Sequence, residues 1–329
     1  MGLLAERERT EFMTVSNGSS GESVLAIDIG GTKIAIAVVS SDGTITHQRR
    51  VPTLHRADGD ATFAPLGAGL AETIAEAGLE GTQLRVGIGS AGPIDSPGGW
   101  ISPVNIGAWR EYPIVAKVAE AVRTVSGVQP LVGLAQDGHC MALGEHWLGA
   151  GKDLHSMVGM VLSTGVGAGA VINDRLFGGL TGNAVLLGHI SVNAWGDECV
   201  CGGHGCVEMY ARGPAMVEAA QAKGWTGGDD AEALTSDARA GNEIAIAVID
   251  DGMRALAAGI AATATLLDVT HFVLGGGVSK AGAVIFEPLR KHIADYATMS
   301  YVADLEVRPA ELENAGLLGA AALALSVDS

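Results

Sequence analysis

The chain has 329 residues, enough for two domains at ~150 residues each, and its 48% hydrophobic and 17% charged composition excludes a disordered chain. Its 20 Lys and Arg against 37 Asp and Glu give a net charge of −17, which repels phosphate backbones and argues against a nucleic-acid partner. Glycine occupies 48 positions, roughly twice the usual share, without the Gly-X-Y period of collagen, and so signals tight turns and close backbone approaches.

Residues 1–22 are polar, lack apolar periodicity and read as a flexible leader, with acids and bases where an export signal needs an apolar core. Order is expected to begin at Val24, where VLAIDIG reads as a buried strand. A GGTK turn leads to a second strand, IAIAVVS, and SDGT makes the hairpin turn to a third, ITHQRRVPT. Apolar residues near three-four spacing predict a helix over 61–78; LRVGIGS is a strand, and a further helix spans 112–126. PLVGLAQD reads as a strand ending on Asp137, followed by a helical GHCMALGEHWLGAG. The uncharged run from Met157 to Ile172 falls short of the ~18–20 residues of a membrane-spanning helix, so no membrane association is expected. Residues 243–267 predict a long, alanine-rich buried helix, and HFVLGGGVSK a strand meeting a glycine turn. Alternating strands and helices argue for an α/β protein with two similar lobes. The expected division is an N-terminal lobe over 23–135 and a C-terminal lobe over 136–329, with the last helix returning to the first lobe.

Three glycine-rich turns follow apolar strands: Asp28-Ile29-Gly30-Gly31-Thr32-Lys33, Ser163-Thr164-Gly165-Val166-Gly167 and Gly275-Gly276-Gly277-Val278-Ser279. Any one alone would be an ordinary tight turn. Three together suggest backbone N–H groups converging on phosphates, with Asp28 placed to hold Mg²⁺. Rival nucleotide motifs fail. Gly87, Gly89 and Gly92 form Gly-x-Gly-x-x-Gly but run into Pro93 instead of opening a helix, and Gly151-Lys152 is followed by Asp153, so no Walker A loop exists.

Cys199, Cys201 and Cys206 crowd into a short segment downstream of His189. Three thiolates and one imidazole match a closed, structural tetrahedral Zn²⁺ site, with His204 as a rival fourth ligand. Such spacing suits a metal better than a disulfide framework and points to a reducing, cytoplasmic compartment. Cys140, alone in a helix, reads as a small core residue. Asp137, at the carboxyl end of a strand, is either a helix cap or a group where α/β ligands gather. Glu208 in isolation is a solvated helix acid, yet a metal at Cys206 would fix its backbone.

These motifs together resemble the ROK family of bacterial sugar kinases and sugar-responsive repressors, within the hexokinase/actin-like superfamily. The resemblance runs from about Val24 to Ala322. Its most specific part is Gly188-His189 through Cys199-x-Cys201-Gly202-x-x-Gly205-Cys206-x-Glu208, supported by IDIGGTK, GIGSAGPID, VNIGAW, AQDGHCMALGE and LGGGVSKAG. It implies a two-lobed actin/hexokinase-like, ribonuclease H-like duplicated fold with a structural zinc knuckle. The implied activity is ATP-dependent phosphorylation of the 6-hydroxyl of a hexose or N-acylhexosamine. By the same resemblance Asp137 is the catalytic base. Asp28 near Mg²⁺, Gly30, Gly31, Thr32, Lys33, Thr164, Gly165 and Gly167 hold the ATP phosphates, and Gly276 and Gly277 lie against the adenosine. Gly92, Asn105, Gln136, Asp137, His189 and Glu208 meet the sugar, while His189, Cys199, Cys201 and Cys206 hold Zn²⁺. A homodimer or higher homo-oligomer is also implied.

Two positions depart from the family pattern. Gln136 stands where the family has Asn before the base, and Leu186 replaces the Glu of a sugar-binding Glu-x-x-His pair. Glucose-type members generally carry that Glu, whereas bacterial N-acetylmannosamine kinases often do not. N-acetylmannosamine is therefore the expected sugar, with glucose the alternative. A non-catalytic sugar-responsive regulator is the other class. Family repressors carry a DNA-binding winged helix ahead of the first glycine turn, where only about 22 residues stand here, and the charge of −17 also disfavours that form.

Overall fold

A run of buried aliphatic residues from Val24 to Ile27 makes β1 (Ser23–Ile29) the centre of a sheet in the protein's computed structural model, which describes residues 22–327. All but the last residue of the expected leader lies outside the described residues. The chain continues through β2 (Lys33–Ser40), β3 (Ile45–Pro52), α1 (Gly59–Glu76), β4 (Arg85–Ser90), a small hairpin of β5 (Ile94–Asp95) and β6 (Trp100–Ile101), α2 (Ile114–Ser126), β7 (Leu131–Gln136) and α3 (Asp137–Leu148). Then come β8 (Met157–Leu162), β9 (Val166–Ile172), β10 (Arg175–Leu176), α4 (Glu208–Ala211), α5 (Gly213–Ala222), α6 (Ala231–Arg239) and α7 (Glu243–Leu267). The last elements are β11 (His271–Gly275), α8 (Ala283–Tyr296), β12 (Glu306–Pro309) and α9 (Ala315–Ser326).

The two five-stranded sheets have the same topology. One is ordered β3-β2-β1-β4-β7 and the other β10-β9-β8-β11-β12. In each, the third and second strands lead to the first, and two parallel strands follow, β4 and β7 in one sheet and β11 and β12 in the other. This repetition of an α/β unit is the duplicated fold of the actin and hexokinase class. β3 shows why it lies at an edge: its residues are largely polar and mostly exposed, which blunts strand-to-strand aggregation.

The chain divides into two compact units. One holds the described residues up to His155, Gly169–Ala184 and the segment from Leu312 onward; the other holds Ser156–Ala168 and Val185–Glu311. Here the structure differs from the division expected at 135/136. β7 runs directly into α3, and α3 packs along α9 within the first unit. α9 is apolar on nearly every face and buried at every position except the half-buried Gly316, so it must be covered on almost all sides. Its approach to α3 is backbone-to-backbone: a Cβ at Gly319 would overlap the carbonyl of Cys140. The uncharged run at 157–172 is two strands joined by a turn, not one helix. Among the described residues no helix is long and apolar enough to cross a membrane.

Candidate active site

In the first unit the parallel strands align their carboxyl ends, which brings two acids together. Asp28 of β1 pairs in register with Gly89 of β4, and Gly89 with Ala135 of β7, two residues before Asp137. Asp137 is exposed and is the first residue of α3, so its charge faces the positive end of the helix dipole. Its Oδ1 accepts a hydrogen bond from the Gly138 N–H at 2.7 Å. Asp28 is half-buried and its pKa is pushed up to about 6, first by desolvation and then by the charge of Asp137, against the lowering effect of Lys33. Two carboxylates that repel each other in this way suit a divalent cation or a shared proton.

The turn between β1 and β2 is anchored by its carbonyls. Gly30 N–H bonds to the Lys33 carbonyl at 3.1 Å, Thr53 Oγ1 donates to Gly30 O at 2.7 Å, and Thr53 N–H donates to Thr32 O at 3.0 Å. His55 Nε2 lies 2.9 Å from Gly31 O. Thr32 and Lys33 are exposed. Gly31 sits against Asn105, where a Cβ would come within 2.6 Å of Asn105 Nδ2. The expected phosphate turn and the expected sugar residue Asn105 are therefore neighbours. The exposed Asn105 stands on a loop pinned by Arg110, which donates to the carbonyls of Pro103 at 2.6 Å and Ile106 at 3.3 Å. Gln136 is 2% exposed, and its Nε2 donates to Asn183 Oδ1 at 2.6 Å. The same Gln136 amide backs Gly92, whose missing Cβ would lie 2.9 Å from it. The Gly92–Pro93 peptide is cis.

In the second unit, the turn after β8 and Gly277 after β11 line one cavity of about 530 Å³, together with Gly213, Asp229, Arg239 and Lys280. Gly276 adopts a φ of +96° and presses on the backbone of Leu162, an approach no side chain would allow. Val166 N–H donates to Glu208 Oε2 at 2.8 Å. Glu208 thus reaches the backbone of the glycine turn.

His189, Cys199, Cys201 and Cys206 bring their ligand atoms within 4.8 Å of one another. Cys199 Sγ is 3.7 Å from His189 Nδ1, and Cys201 Sγ is 3.7 Å from Cys206 Sγ. Ligands of a tetrahedral Zn²⁺ at ordinary bond lengths stand ~3.6–3.8 Å apart, so this set fits the ion. His204, the rival ligand, is exposed and points its Nδ1 at Gly196 O, 3.3 Å away. The loop closes only with glycine at 205, which has φ +61° and would otherwise overlap Asn193 O. Cys140 is fully buried, with its thiol pKa raised well above normal by desolvation, as suits a core residue.

A family profile described as the ROK family matches residues 24–327. The chain belongs to the ROK family. It is similar to a Thermotoga maritima glucokinase, 33% identical over 316 residues, covering 91% of this chain and 96% of that one. It is equally similar to a Citrobacter koseri N-acetylmannosamine kinase, 35% identical over 303 residues, covering 92% and 98%. Among solved structures, a ROK family glucokinase from Streptomyces griseus in complex with glucose and AMPPNP matches with TM-score 0.73 and 30% identity, covering 91% and 98%. A ROK hexokinase from Thermus thermophilus matches with TM-score 0.76 and 30% identity, covering 92% and 97%.

Within this ROK protein, each unit gathers its own share of the expected residues. Asp28, Gly30, Gly31, Thr32, Lys33, Gly92, Asn105, Gln136 and Asp137 lie in the first unit. Thr164, Gly165, Gly167, His189, Glu208, Gly276, Gly277 and the three cysteines lie in the second. Sequence reasoning missed the supporting residues Thr53, His55, Arg110 and Asn183. Their partners are 23, 24, 7 or 47 residues away, and no local motif marks such pairs.

Proposed function

We propose that this chain is an ATP-dependent sugar kinase that phosphorylates the 6-hydroxyl of a hexose or N-acylhexosamine, with N-acetylmannosamine preferred and glucose the alternative. The observation that carries this reading is the exposed Asp137 beside the raised-pKa Asp28, at the carboxyl ends of β7 and β1. Phosphoryl transfer depends on positioning and charge stabilisation more than on covalent chemistry. In this reading Asp137 accepts the proton of the attacking hydroxyl, from a carboxylate set at the positive end of α3. Asp28 and the Gly30–Lys33 turn hold the Mg²⁺-bound phosphates, and Thr164, Gly165, Gly167, Gly276 and Gly277 hold ATP. The metal ion, when bound, neutralises charge on the transferred group. His189 and the three cysteines hold a structural Zn²⁺, which fixes the segment carrying His189 and Glu208. Gly92, Asn105, Gln136, His189 and Glu208 orient the sugar, Gln136 through a side chain already tethered by Asn183.

Leu186 supports the choice of acceptor. It is 37% exposed and apolar where a carboxylate would pair with sugar hydroxyls. Desolvating hydroxyls against such a wall costs ~1–3 kcal/mol, and an N-acetyl methyl avoids part of that cost. The test is kcat/KM for N-acetylmannosamine, N-acetylglucosamine and glucose, measured side by side by ADP release. N-acetylmannosamine should lead. A tenfold or greater preference for glucose would overturn the acceptor assignment and leave the kinase intact. Inactivity on all three would favour a regulator.

A further inference from the structure

The geometry points to Glu208 as a positioning residue for the phosphate-binding turn, one that ties nucleotide binding to the metal knuckle of the same unit. This inference rests on the kinase reading. The turn between β8 and β9 closes through the Ser163 N–H to the Gly165 carbonyl at 3.0 Å, and the Gly213 N–H holds the Ser163 carbonyl at 2.8 Å. A further tie comes from a side chain. Glu208 Oε2 accepts the Val166 N–H at 2.8 Å, and a Cβ on Gly165 would stand 2.9 Å from the same oxygen. The carboxylate therefore lies along the turn.

The knuckle holds Glu208 in that place. Glu208 follows Cys206 by two residues, and the Val207 N–H between them donates to Ile190 O at 3.0 Å. On the His189 side, Gly188 packs so closely on Val166 that a Cβ would overlap its carbonyl. Two segments, each carrying a ligand of the candidate metal site, thus grip Val166. A carboxylate-to-amide bond is charge-assisted and stronger than a neutral one. Without it the turn loses this side-chain tie beside its glycine, and more of its ordering falls to the nucleotide at binding. The metal would then order the turn through Glu208, besides shaping the segment around it.

The experiment titrates the full-length protein with AMPPNP and Mg²⁺ in the absence of sugar, and follows amide exchange at Val166. Glu208→Ala should weaken AMPPNP binding roughly tenfold and speed exchange at Val166, as expected for the loss of one charge-assisted hydrogen bond. Glu208→Gln keeps an oxygen that accepts the Val166 N–H, so it should stay within about threefold of wild type. Removing the metal by chelation should weaken binding as Glu208→Ala does. A Glu208→Ala protein with wild-type AMPPNP affinity and a still protected Val166 amide would overturn the inference. Should that variant fail to fold, a metal-free wild-type protein with unchanged affinity and exchange would overturn it equally. Wild-type protein that binds no AMPPNP would instead overturn the kinase reading, and the exchange comparison would then decide the role of Glu208 by itself.

Discussion

Asp137→Asn isolates the chemistry of Asp137 from its structural role. Asn keeps an Oδ1 that accepts the Gly138 N–H, now 2.7 Å away, and Asp137 is exposed, so the start of α3 is preserved. The structural loss is the carboxylate's favourable interaction with the helix end, ~0.3–1 kcal/mol. The catalytic loss is larger. A positioned general base is worth ~10²–10⁴ in rate, or about 3–5 kcal/mol in the transition state. The expectation is kcat reduced by ~10² or more with little change in KM. A second effect follows at Asp28. Its pKa of about 6 is raised first by burial and then by Asp137, so removing the Asp137 charge should lower it while keeping it above 3.8. Steady-state ADP release measures the first effect, and carboxyl NMR titration of the nucleotide-free protein measures the second. Retention of more than a tenth of wild-type kcat in folded protein would refute the base assignment, and an unmoved Asp28 titration would refute the coupling of the two acids.

Asp28→Asn should stabilise the nucleotide-free protein at pH 7 while abolishing activity. The folded pKa of about 6 lies above the reference 3.8, so the cost of the buried charge is fully present above pH 6 and vanishes below pH 3.8. Urea denaturation at pH 7 and near pH 4 checks this, and an equal gain at both would contradict it. Purified protein should contain one Zn²⁺ per chain, and Cys201→Ser should lower both zinc content and melting temperature; metal analysis well below half an equivalent, in fully stable protein, would remove the metal assignment. Gly319→Ala forces α9 away from the Cys140 carbonyl and should cost ~1–3 kcal/mol or more of stability. A melting temperature equal to wild type would show that α9 can shift freely.

The parts of the site that depend on local chemistry were legible in the sequence. Glycine turns after apolar strands were visible at 30–31, 165–167 and 276–277 because glycine marks tight turns by itself, as at Gly276, whose φ of +96° and close Leu162 backbone admit no side chain. The three thiolates were visible because metal spacing is set within a few residues. The long helix over 243–267 was visible because its apolar and alanine-rich pattern runs for 25 residues. Shorter helices such as α4, α5 and α6 carry too few turns for periodicity to separate them from loop.

Tertiary structure decided the rest. His189 and His204 are chemically alike, and only the fold of the knuckle directs the former at Cys199 and the latter at Gly196. Asp28 and Asp137 are far apart in the chain, and their mutual repulsion exists because parallel pairing through β4 aligns the ends of β1 and β7. The boundary between units follows α3, which is held by α9 from the far end of the chain. Residue type and short spacing determine what a group can do, and long-range pairing determines which groups meet, because the free energy of such contacts comes from packing that no local window contains.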